Sequence, residues 1–122
     1  MKKLIILTVM GMLCLPIMAR TISSVEKDEM WYRFYDENGN RYKSKGVSEM
    51  GELVGWSSSI VIFKTNGFYK IYDPELNKIK TIAESTCGNI ISVSGETFTS
   101  RSGSWIYTWD KYGNKINSRA AN

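Results

Sequence analysis

Apolar and polar side chains alternate along most of this chain, and the alternation returns at a fixed interval. In residues 31–35, Trp-Tyr-Arg-Phe-Tyr, positions 31, 33 and 35 point one way and 32 and 34 the other, the period-2 signature of a strand. The stretch comes back as Phe-Tyr-Lys-Ile-Tyr at 68–72 and as Trp-Ile-Tyr-Thr-Trp at 105–109, 37 residues apart each time. An internal repeat of this length is the mark of stacked or ring-arranged units. Here one β unit, 31–67, is used again at 68–104 and in part at 105–122.

Alignment of the copies resolves four strands per unit. The aromatic strand comes first, and a turn follows it. Asp36 and Gly39 in copy one match Asp110 and Gly113 in copy three. The aspartate can accept a hydrogen bond from backbone two residues on, and glycine supplies the positive φ of a bulged hairpin loop. Copy two keeps Asp73 and Asn77 but has Pro74 early in the turn and Leu76 in the glycine's place, so its turn is expected to differ. The second strand is 40–45, 77–82 or 114–119, with Tyr42, Ile79 or Ile116 inward. The third is 53–56 or 90–93, and the fourth 60–65 or 97–102, closed by the hairpin signal Asn66-Gly67. The total is ten short strands; 47–53 could form one helical turn but lacks the length of a helix.

The expected fold is therefore all-β and antiparallel, about two and a half tandem four-stranded units, each built like a propeller blade. A closed propeller needs at least four blades. Two and a half units imply either protomers that complete a ring as a homo-oligomer, or a small barrel or trefoil-like body. Residues 21–30 match the repeat poorly, which weakens the second option.

The first nineteen residues read differently. Lys2 and Lys3 precede an apolar run from Leu4 to Leu15, Pro16 breaks it, and Ala19 offers a cleavage site. This is the pattern of a secretory signal, in the bacterial style, and the run is short for a membrane span. The expectation is a single domain, 20–122, that is secreted or resides in the periplasm or cell envelope, with no membrane attachment after cleavage. Removing Lys2 and Lys3 from the 16 basic residues leaves 14 against 12 acidic ones, interspersed. No basic stripe of the kind nucleic-acid binders carry is present. Cys87 is the one cysteine of this domain, expected as a small buried side chain rather than a thiol for bridging.

Residues 35–41, Tyr-Asp-Glu-Asn-Gly-Asn-Arg, resemble the Tyr-Asp repeats of large secreted shell proteins. Residues 61–80, an apolar strand, an Asn-Gly turn, an aromatic strand, Asp and a second strand, are similar to bacterial Trp-Gly repeats and to propeller blades. The resemblance covers about 20 residues per copy. It implies a secreted, hairpin-based surface or binding module and no particular activity.

Catalytic chemistry is thinly represented. The chain has no histidine, which removes the usual triads, imidazole metal sites and the commonest general base. The recurring acids Asp36, Asp73 and Asp110 sit at turn starts, where a structural role is expected. Asp36-x-Asn38-x-Asn40 superficially resembles a calcium loop, but Arg41 stands where glycine is required. No metal or other cofactor is implied. What remains is an excess of aromatics, four Trp, seven Tyr and four Phe, all beyond residue 19. Core packing accounts for most. Trp56, Trp105, Trp109 and Tyr112 are the candidates for ligand contact: Tyr112 lies at a turn tip, Trp109 shares a face with Trp105 and Tyr107, and Trp56 is large where its counterpart is Val93. The expected function is a secreted, non-enzymatic binding module for a glycan or a protein. The competing expectation is a structural envelope subunit that assembles with itself, and a carboxylate hydrolase ranks third.

Overall fold

The computed structural model describes residues 20–121; the leader read at 1–19 lies outside the described residues. The fold is all-β and antiparallel. Its eleven strands are β1 (Ser24–Lys27), β2 (Trp31–Tyr35), β3 (Arg41–Gly46), β4 (Glu52–Trp56), β5 (Val61–Thr65), β6 (Phe68–Tyr72), β7 (Lys78–Ala83), β8 (Asn89–Ser94), β9 (Thr97–Ser102), β10 (Trp105–Asp110) and β11 (Lys115–Ala120). Two single helical turns, α1 (Val47–Met50) and α2 (Glu84–Cys87), separate them into three sheets. The sheets are β1-β2-β3, β4-β5-β6-β7 and β8-β9-β10-β11, each a simple meander like a propeller blade.

Sequence alignment gives the period of the repeat but not its phase. The sheets run 24–46, 52–83 and 89–120, so the expected units 31–67 and 68–104 each straddle two sheets. The break comes at the helical turns. Gly51 follows α1 with φ +88° and ψ −146°, and Gly88 follows α2 with φ +93° and ψ −166°, a region essentially closed to other residues. Each glycine is pressed against the neighbouring hairpin: a Cβ on Gly88 would stand 2.6 Å from the Arg101 carbonyl oxygen. The strand count also exceeds the expected ten, because β1 forms in the poorly matching stretch 21–30.

The hairpin turns repeat closely. Asp36 Oδ1 accepts from the Asn38 and Asn40 amides, Asp110 Oδ1 from Tyr112 and Asn114, and Asp73 Oδ1 from Asn77. Copy two was expected to differ, yet Leu76 takes φ +65° and completes the same backbone pattern. Its side chain is 9% exposed in the core between the first two sheets. Burying a leucine stabilises by about 1.5–3 kcal/mol, enough to offset a left-handed residue costing about 1–3 kcal/mol.

The sheets stack face to face, and the middle sheet is buried on both sides. Val61 and Phe63 pack against Tyr32 and Phe34 of the first sheet. Ile60, Ile62, Tyr69 and Ile71 pack against Phe98 and Trp109 of the third. Tyr32 and Tyr69, equivalent by the repeat, each send a hydroxyl into the next sheet's entry. Tyr32 donates to the Gly51 carbonyl at 2.7 Å, and Tyr69 accepts from the Ile90 amide at 3.3 Å. Tyr69→Phe would strand that buried amide; we expect a loss of about 1–3 kcal/mol, read from the urea midpoint.

The outer faces of the stack are built from different residues. Ile60, Ile62, Ile71 and Ile82 of the middle sheet correspond to Thr97, Thr99, Thr108 and Arg119 on the third sheet's outer face. Val61 and Phe63 correspond to Ser24 and Glu26 on the first sheet's outer face. Polar outer faces on terminal units are how repeat stacks end. Ile116, expected inward, is 56% exposed for the same reason: among the described residues no further sheet covers it.

Candidate functional site

The four aromatic candidates do not converge. Trp109 is 5% exposed, so it belongs to the core and presents no face to a ligand. It stacks on Phe98 at 6.2 Å with 7° between planes. Its Nε1 donates to Ser100 Oγ at 2.9 Å, and Ser100 donates to the Cys87 carbonyl at 2.7 Å. The room comes from a compensating exchange. Where the middle sheet has Phe63 beside Tyr72, the third has Ser100 beside Trp109. Cys87 is also fully buried, and burial pushes its thiol pKa up, which suits a packing role.

Trp105 is 49% exposed, in line with its counterparts Trp31 and Phe68, at the start of its strand. Tyr112 is 58% exposed, on the turn beyond the other end of the same strand. Trp105 and Tyr112 therefore lie on opposite rims of the third sheet. Trp56 is partly buried against the core between the first two sheets.

The residues that do converge lie on the outer face of the first sheet. Antiparallel pairing of β2 with β3 sets Arg33 opposite Ser44, Trp31 opposite Gly46 and Tyr35 opposite Arg41. Residues opposite one another share a face. Trp31, Arg33, Arg41 and Ser44 thus line one open groove of about 250 Å³. Arg33 and Arg41 are diagonal neighbours across the strands, within about 7–8 Å at the backbone.

One arginine is held and the other is free. Asp28 accepts from the Met30 and Trp31 amides at 2.9 and 2.8 Å and pairs with the Arg33 guanidinium. Those amides, then Arg33, pull the Asp28 pKa down to about 2. Glu26, opposite Arg33 on β1, accepts from the Tyr35 hydroxyl at 3.1 Å. Among the described residues no carboxylate stands within ion-pair distance of Arg41. The groove therefore offers an indole face, a hydroxyl, one positioned guanidinium and one unpaired one. Such a set suits a sugar ring, which stacks its C–H face on the indole, carrying an acidic or hydroxyl group for the guanidiniums to grip.

A pH dependence follows from Asp28. Its folded pKa lies below its ordinary value, so its ionised form supports the β1–β2 turn at neutral pH. That support is lost as pH falls from about 4 through 2. We expect the Arg33 and Trp31 resonances to move across that interval and to stay still there in Asp28→Asn, followed by NMR titration.

Sequence reasoning passed over Arg33 and Arg41 because each looks like an ordinary solvent-facing strand position. The signal was available in the register: a hairpin turning at Asp36–Gly39 lays residue 33 across from 44. No protein-family model matches the chain, and no curated protein matches it significantly. The groove must therefore be interpreted from its own chemistry.

Proposed function

We propose that this protein is a secreted, non-enzymatic binding module that holds an acidic glycan on the outer face of its first sheet. The observation that carries the reading is the groove of Trp31, Arg33, Arg41 and Ser44, in which aromatic and guanidinium groups share one exposed face. The absence of histidine from the chain and the full burial of the Cys87 thiol favour binding over catalysis. Among the described residues no helix is long and apolar enough to cross a membrane. The secreted location rests on the leader pattern, and a mature protein beginning at Arg20 by mass spectrometry would support it.

The test is an array of neutral, carboxylated and sulfated glycans probed with the full chain. Signal is expected on acidic members, falling about tenfold or more in Trp31→Ala and in Arg41→Ala, since one lost charge-assisted contact is worth about 1.5–3 kcal/mol. Both positions are surface ones, so melting temperatures should change little. A blank array, or binding that survives both substitutions, would overturn the reading.

A further inference from the structure

The first sheet has one strand fewer than the other two, and the repeat shows what is missing. Subtracting 37 from β5 gives β1, and subtracting twice 37 from β9 gives nearly the same place. β5 and β9 each carry an inner neighbour, β4 and β8. Among the described residues nothing pairs with the corresponding edge of β1. We propose that this vacancy accepts an extended segment of a partner protein, which pairs with β1 as a fourth strand.

The edge is preset for such pairing. Asp28 donates its amide to the Trp31 carbonyl at the β1–β2 turn, so by antiparallel alternation Glu26 and Ser24 bond to β2. Val25 and Lys27 then turn their N–H and C=O groups outward. Their counterparts in the middle sheet, Ile62 and Lys64, are the residues that meet Gly55 and Glu52 of β4. An exposed row of this kind is a template for strand addition, with main-chain bonds giving affinity and side-chain pockets specificity.

Two features define the partner's chemistry. Lys27 stands at the register position where Lys64 lies across from Glu52. Lys64 pairs with Glu84, whereas among the described residues no carboxylate stands within ion-pair distance of Lys27, so an acidic residue suits the position opposite it. The floor of the slot holds Trp56, part-exposed at the position where β8 has Val93. Val93 lies under Gly55, so close that a Cβ there would stand 2.8 Å from Cγ2. A small residue over the Trp56 indole therefore completes the match. The chain's own approach to β1 leads away from the vacancy. Thr21 donates its hydroxyl to Glu37 in the β2–β3 turn at 2.9 Å, and Arg20 lies 4.4 Å over the Tyr42 ring of β3. Both contacts are on the opposite side of the sheet, so the described chain does not turn back toward the vacancy, and the occupant proposed is another chain.

The probe is a capped peptide with the sequence of residues 51–57, which copies β4, added to the full chain while amide exchange is followed by NMR. Exchange at Val25 and Lys27 should slow by about tenfold or more. The same peptide N-methylated at the Gly55 equivalent should give no slowing. Val25→Pro removes one outward donor and spares the β2 bonds, as proline does on an edge strand; it should keep the fold and lose the response at Lys27. Unchanged exchange at these two amides, or equal protection by the N-methylated peptide, would overturn the proposal. So would protection already present in the free chain, which would mean that the slot is filled from within or by a second copy.

Discussion

Gly88→Ala should destabilise the protein by about 4 kcal/mol, among the largest effects expected of a single methyl group added to this fold. Two independent costs add. At φ +93° and ψ −166° the backbone occupies a region essentially reserved for glycine, and holding another residue there costs about 1–3 kcal/mol. The new Cβ also meets the Arg101 carbonyl oxygen at 2.6 Å and Ser102 Cβ at 3.0 Å. Relieving that overlap costs about 1–3 kcal/mol more, because the obstacle is backbone rather than a flexible side chain. Gly51→Ala should behave alike, since its Cβ would fall on Thr65 Oγ1 and 2.5 Å from the Lys64 carbonyl oxygen. Domains have about 5–15 kcal/mol in total, so either variant should melt far below the parent. Gly39→Ala is the control: its positive φ is similar, but no atom lies within 4 Å of the new Cβ, and its cost should be the smaller conformational one. Chemical denaturation of the three variants separates the steric part from the conformational part.

Trp109→Ala should cost about 3–5 kcal/mol, while Trp105→Ala should cost less than about 1 kcal/mol. The two tryptophans sit on one strand, on one face, four residues apart. Trp109 fills the space that Ser100 leaves and donates to its hydroxyl; truncation opens a cavity against Phe98 and Tyr107 and removes one partner of a buried hydroxyl. Trp105 is half in solvent already. Ser100→Phe with Trp109→Tyr would restore the middle sheet's arrangement and should recover part of the loss. Thermal melts decide the matter: equal losses at 105 and 109 would contradict the packing described here.

The contrast shows which features the sequence could reveal. Strand positions and hairpin turns were readable because period-2 alternation and the Asp and Gly of each turn are local. Sheet boundaries were not, because a repeat has no marked beginning. The helical turns Val47–Met50 and Glu84–Cys87 are too short to stand out, and the glycines after them look like ordinary strand entries. Leu76 is only half legible, because its φ has a local cost and its burial is a long-range gain. The burial of Trp109 is not legible locally, because an aromatic on a strand carries no sign of the neighbouring serine that makes room for it. The groove was hidden for a related reason: Trp31, Arg33 and Arg41 become a site only through the register of β2 on β3.

Both the groove and the vacancy beside β1 require that the first sheet be free in solution. The polar residues on the two outer faces argue that the stack ends there. A ring of protomers would place one copy's third sheet on another's first and cover the groove. Light scattering after size exclusion, run on the full chain over a hundredfold range of concentration, tests this directly. The mass of a single chain at every concentration is the predicted result. A discrete, concentration-stable oligomer would contradict it, because the face assigned to ligand would then be an interface between copies.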